Sequence, residues 1–130
     1  MWRLPLATVV CPMPSAIEDW SQVGEQLCAR GEKLLVIEAS AGGAICAAIT
    51  AVPGASAWFS GGLVAYNDEL KCGLLGVRAA SIERYGAVSV EVVNEMLRGA
   101  PGSAQWILAE SGIYGPAGER ANKPVGEIVM

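Results

Sequence analysis

Along the chain, apolar positions switch repeatedly between helical spacing and short unbroken runs. Ile17, Trp20, Val23, Leu27 and Cys28 recur at helical spacing as far as Arg30, with the capping-box residues Ser15-Ala16-Ile17-Glu18 before them and Gly31 as a stop. Lys33 to Glu38 (KLLVIE) is almost continuously apolar, as a strand covered on both faces requires. From Gly42 the residues AICAAITAV are small and apolar all round, which predicts a buried helix ending before Pro53-Gly54. Ala57 to Phe59 and Gly62 to Tyr66 read as strand, Asp68 to Leu75 as a helix stopped by Gly76, and Ser81 to Tyr85 as a short helical turn. Ser89 caps a helix over VEVVNEMLRGA, with Glu91 and Arg98 at the ends that suit its dipole. Trp106 to Glu110 is a strand, residues 111–118 form a glycine-rich loop, and Val125 to Met130 is a final strand.

Helices and strands alternate throughout, so the pattern predicts an α/β fold: a three-layer α/β/α sandwich around a mostly parallel or mixed sheet. A length of 130 residues with 52% hydrophobic residues fits one domain with one core. The opening MWRLPLATVVCPMP (1–14) reads as an N-terminal arm or edge strand. Its apolar run is short and contains Pro5, and Val10 before Cys11 is not small, which excludes a signal peptide or lipoprotein box. No run reaches membrane-spanning length.

Charge and composition narrow the chemistry. Nine Lys and Arg against thirteen Asp and Glu give a net charge of −4 with the basic residues scattered, so no nucleic-acid partner is expected. The chain has no His, which removes Ser-His-Asp and Cys-His mechanisms. Cys11, Cys28, Cys46 and Cys72 lie at wide, irregular spacings, which argues against a metal site and reads as small buried hydrophobes in a reducing, cytoplasmic setting. Two glycine-rich turns follow strands, at 38–43 and 111–118. In open α/β sheets such turns gather at the carboxyl edge, where ligands bind.

Five ordered motifs carry a resemblance. Glu38-Ala39-Ser40-Ala41-Gly42-Gly43 aligns with E-S-C-T-G-G, and Val52 to Phe59 with V-P-G-A-S-A-x-F. Gly62 to Lys71 fits G-x-V-x-Y-x-N-E-x-K with Asp68 in the Asn place, and Tyr85 to Ser89 fits H-G-A-V-S. Ser111 to Gly118 with Lys123 to Gly126 fits T-G-I-A-G-P-x-G-x followed by K-P-V-G. The sequence thereby resembles the C-terminal domain of the competence/damage-inducible CinA family, the nicotinamide mononucleotide deamidases, over nearly all of residues 15 to 130.

The resemblance implies a cytoplasmic amidohydrolase that needs no metal or cofactor and pairs a serine nucleophile with a lysine base, for which Lys71 is the matching residue. A neutral lysine amine takes a hydroxyl proton where no His is present. The nucleophile position falls on Ala39, which has no hydroxyl, while Ser40 stands where the family has Cys. Some members of the family read E-S-S-A-G-G at this turn and differ from the chain there only at residue 39. Three accounts stay open: a deliberate Ser-to-Ala replacement that inactivates the nucleophile to hold substrate uncleaved; a natural relative in which Ser40 has taken over the attack; and a non-catalytic relative that keeps the pocket for binding.

Ser56 and Tyr66 match site-lining residues whose hydroxyls would relay a proton or orient Lys71. Ser111 and the amides around Gly42, Gly43 and Gly112 are candidates for an oxyanion hole or phosphate cradle. Glu38 either braces Lys71 or caps the turn, and Lys123 is a candidate phosphate contact. Ala41 replaces a Thr and Tyr114 an Ala, the latter adding a ring to the pocket wall, so the substrate the resemblance implies is nicotinamide mononucleotide or a related or smaller amide. The family continues past the K-P-V-G strand with another strand and a helix, and Met130 lies before them; a homo-oligomer is expected to cover that face.

Overall fold

The computed structural model describes the backbone of residues 16–118 and 123–130, and side chains from residue 20 onward. The N-terminal arm, Cys11 and the Ser15–Glu18 capping box fall outside the described side chains.

Strand β1 (Leu34–Glu38) is the centre of the sheet. It runs parallel to β2 (Phe59–Val64) on one side and to β3 (Trp106–Gly112) on the other, and β4 (Ile128–Val129) adds antiparallel to the end of β3. The order is β2-β1-β3-β4. All five β1 residues are buried, which explains their unbroken apolar run. Alternate side chains serve opposite layers. Leu34 and Val36 pack with Leu27 of α1 (Ala16–Arg30), Ile49 of α2 (Ala44–Thr50) and Trp58. Ile37 and Ala39 pack with Leu75 of α3 (Asp68–Leu75), Ile82 of α4 (Ala79–Tyr85) and Val92, Val93 and Met96 of α5 (Val90–Arg98). Each large side chain so enclosed contributes about 1.5–3 kcal/mol of burial free energy. The three-layer α/β sandwich with a mixed sheet is therefore the observed fold.

Local chemistry sets most boundaries. Asn67 caps α3 by accepting the Leu70 N–H at 2.8 Å, and Gly76 ends it at φ 65, a conformation that favours glycine. Ser89 caps α5 through the Val92 N–H.

Other elements differ from the sequence reading. The buried face of α1 runs through Trp20, Gly24 and Leu27, leaving Val23 and Cys28 exposed, because the missing side chain of Gly24 admits the Trp58 indole: a Cβ there would sit 2.6 Å from Cε2. Helix α2 buries only Ala48 and Ile49 completely. Ala55–Ala57 is a 3-10 turn, and β2 continues through Ser60 and Gly61, its pairing with β1 shifting register at Ser60. Tyr66 lies beyond that strand, β3 continues past Glu110 to Gly112, and β4 is shorter than 125–130. Of the described cysteines, Cys28 is exposed and Cys46 and Cys72 are half-buried, so none is the enclosed hydrophobe expected.

Candidate functional site

The register of β1 and β3 sets Glu38 directly opposite Glu110, at the carboxyl ends of two parallel strands. Paired residues in a parallel sheet point to the same face, here the α2 face that also receives Val36 and Leu108. Both carboxylates are enclosed, Glu38 at 0% and Glu110 at 1% exposure, so each needs donors to offset its desolvation. The turn between β1 and α2 supplies them.

Glu38 Oε2 accepts the N–H groups of Gly43 (2.8 Å) and Ile45 (3.1 Å), and Oε1 accepts that of Cys46 (2.8 Å). Burial alone would raise the Glu38 pKa, but hydrogen bonds from the Cys46 thiol and from these amides hold it below the ordinary carboxylate range. The Cys46 thiol is pushed up to about 12 by its own burial and by the neighbouring carboxylate. Glu110 reaches across from β3: Oε1 accepts the N–H groups of Ala39 (2.8 Å) and Ala41 (2.7 Å), and Oε2 accepts the Ser40 hydroxyl at 2.5 Å. Gly112 makes room for that hydroxyl, since a Cβ there would lie 2.8 Å from Ser40 Oγ.

The opposite face of the same edge carries a separate group. Ala39, 2% exposed, turns its methyl toward the α3–α5 layer. Lys71 of α3 is 3% exposed; its Nζ donates to the Tyr66 carbonyl at 3.2 Å and lies 3.5 Å from the Asp68 carboxylate. The preceding residue, Ala65, donates its N–H to the Glu38 carbonyl at 2.8 Å, which ties this segment to the end of β1. On the same side, Ser111 Oγ donates to the Ala87 carbonyl at 3.1 Å. The Lys123 ammonium donates to the carbonyls of Tyr85, at 2.5 Å, and Val88, fastening the turn between α4 and α5.

The carboxyl edge thus gathers Glu38, Ala39, Ser40, Gly42, Gly43, Tyr66, Lys71, Ser111 and Gly112, with Tyr114 in the exposed loop after β3. Several expectations need correction. Ser56 is exposed in the turn before β2, at the amino end of the sheet, where Phe59 pairs with Leu34; the length of β2, about 16 Å, separates it from the other residues. Tyr66 meets Lys71 through its main-chain carbonyl while its ring is 71% exposed. Glu38 caps the turn and is not among the partners of Lys71. The Gly43 amide is committed to Glu38 and is no oxyanion donor.

Glu110 is the residue that sequence reading missed. Its signal was a second strand ending, like the first, in Glu followed within two residues by Ser, and only the register reveals that the two ends meet. Among the described residues no group of three or more Cys, Asp or Glu is placed to hold a metal ion, and no helix is long and apolar enough to cross a membrane.

Comparison with known proteins adds three findings. The family model described as the CinA C-terminal domain matches residues 18–130. A CinA-like protein of Synechococcus sp. (strain CC9902) is 47% identical over 102 residues, covering 77% of this chain and 24% of that protein. The nicotinamide-nucleotide amidohydrolase PncC of Escherichia coli (strain K12) is 42% identical over 109 residues, 82% of this chain and 66% of that protein. The chain therefore spans about a quarter of the cyanobacterial relative and about two thirds of the enterobacterial one. Among solved structures, the competence/damage inducible protein CihA of Agrobacterium tumefaciens superposes with a TM-score of 0.83 at 31% identity, over 92% of this chain and 74% of that one.

Proposed function

Because the chain belongs to the CinA C-terminal domain family, we propose that the carboxyl edge of its sheet is an amidohydrolase site, shaped for a hydroxyl at position 39 with Lys71 as its proton acceptor. The observation that carries this reading is the shared side of the sheet. Ala39, just past the end of β1, and Lys71, in the helix α3 that follows β2, are both enclosed on the α3–α5 face, and the hydrogen bond from Ala65 to Glu38 joins the ends of the two strands. An enclosed lysine whose close contacts are one carbonyl and one half-exposed carboxylate keeps donor capacity for a ligand.

With a serine at 39, its oxygen attacks the carboxamide carbon and its proton passes to the Lys71 nitrogen, which returns it to the departing amide nitrogen. The C–N bond breaks, ammonia leaves, and water releases the acid. The substrate in this reading is nicotinamide mononucleotide or a related, smaller amide, matching the activity for which the enterobacterial relative is named. The chain carries Ala39 and lacks a hydroxyl at that position. Converting Ala39→Ser and following ammonia release from nicotinamide mononucleotide, nicotinamide riboside and nicotinamide tests the proposal. Turnover that disappears in Ala39→Ser/Lys71→Met supports it, and no release from any of the three amides refutes it.

A further inference from the structure

We propose that Ser40 and Glu110 form a second hydroxyl–acceptor pair, on the opposite face of the sheet from Ala39 and Lys71, and that this pair is the attacking group of the chain with Ala39. The proposal rests on the reading of this edge as an amide site and names the residues that would act there. Ser40 Oγ donates to Glu110 Oε2 at 2.5 Å, within the short range of charge-assisted O–H···O⁻ bonds. That bond points the hydroxyl proton at an acceptor and leaves the oxygen lone pairs free. Ser40 is half-buried and reachable, whereas the methyl of Ala39 is enclosed.

The acceptor is rigidly placed, because its other oxygen is held by the Ala39 and Ala41 amides. Lys71 is on the other face, bonded to the Tyr66 carbonyl, so a proton leaving Ser40 has Glu110 as its partner. Of the amides from 39 to 46, those of Ala39, Ala41, Gly43, Ile45 and Cys46 serve the two carboxylates and that of Ala44 serves the Ala41 carbonyl. Among the described contacts, the Ser40 and Gly42 amides have no acceptor, and they are the donors left for an oxyanion.

The step balances without a metal. Ser40 Oγ bonds to the carboxamide carbon as its proton moves to Glu110 Oε2. The C–N bond breaks and ammonia departs with that proton. Water then adds to the acyl carbon and gives a proton to Glu110, the acyl–oxygen bond breaks, and Ser40 recovers its hydroxyl.

A fluorophosphonate probe tests the pair without a known substrate: Oγ bonds to phosphorus, fluoride leaves and Glu110 takes the proton. Incubation of the chain with Ala39 followed by peptide mass spectrometry is expected to place the adduct on Ser40. Ser40→Ala should abolish it, and Glu110→Gln should slow it at least tenfold while Glu110→Asp, which retains a carboxylate, recovers part of the rate. Tryptophan fluorescence checks that each variant is folded. No adduct on Ser40 of the chain with Ala39, at a dose that saturates a serine hydrolase control, overturns the proposal, as does an unchanged rate in folded Glu110→Gln. Ammonia assays keep the two readings apart: labelled Ser40 with no amide turnover removes the amide substrate and leaves the pair standing. Turnover by Ala39→Ser with Ser40 unlabelled does the reverse.

Discussion

Glu38→Gln isolates what the enclosed carboxylate contributes to the turn that carries both residue 39 and residue 40. Glutamine keeps the size of the side chain but has one acceptor oxygen where Glu38 has two. If that oxygen serves Gly43 and Ile45, the amide nitrogen faces the Cys46 N–H, donor against donor, at the 2.8 Å the carboxylate now spans. Loss of that bond costs about 1.5–3 kcal/mol, and neutralising the acceptor of the other two weakens each by some tenths, about 3 kcal/mol in all. For a domain of this size that is a fall in Tm of roughly 10 °C.

The pH dependence has a definite sign. The folded state holds the Glu38 pKa below its ordinary value, so the stabilisation is full above the unfolded value and is lost as the pH falls through the folded one. The gap between the unsubstituted chain and Glu38→Gln should therefore narrow on acidification. Urea unfolding followed by tryptophan fluorescence from pH 7 to pH 3 reads both quantities. A difference below about 0.5 kcal/mol at pH 7, small for an enclosed charge that loses a hydrogen bond, or a gap that does not change with pH refutes the reasoning.

Three further outcomes follow from the same geometry. With the Cys46 thiol at about 12, iodoacetamide at pH 8 should alkylate exposed Cys28 and spare Cys46 until the protein unfolds; equal rates would contradict the account. Gly99→Ala should destabilise by about 2 kcal/mol or more, because a Cβ there would overlap the Leu75 carbonyl oxygen where α3 and α5 approach; thermal melting measures it. Glu95 is held at about 2, first by the Arg78 guanidinium and then by the Arg78 amide and the Ser81 hydroxyl. Its contribution is present above its ordinary 4.5 and disappears toward 2, so Glu95→Gln should flatten the acid limb of the stability curve.

Elements defined by local chemistry were legible before the structure. The Ser89 cap and the Gly76 stop act within a few residues of themselves, and β1 betrayed its position by an unbroken apolar run. Features that depend on distant partners were not. Ser60 and Gly61 read as a break between two strands, yet β2 passes through them, with a shift of register at Ser60, because β1 supplies its hydrogen bonds. Ser56 and Tyr66 were assigned to one site by their motifs, but β2 lies between them and carries them to opposite ends of the sheet. Glu110 is 70 residues from Ser40 in sequence, and nothing short of the strand register joins them. Lys123 read as a candidate phosphate contact, and its ammonium is instead bonded to carbonyls of a turn 35 and 38 residues earlier.

The contact of Ser40 with Glu110 and Gly112 makes these three positions a single unit of inheritance. A larger residue at 112 displaces the hydroxyl, a neutral one at 110 strands the turn amides, and an apolar one at 40 leaves a carboxylate oxygen without its donor. Randomising any one of them alone should yield mostly damaged clones, whereas libraries that vary all three together can cross to new solutions. Epistasis here is written into the alignment of two neighbouring strands.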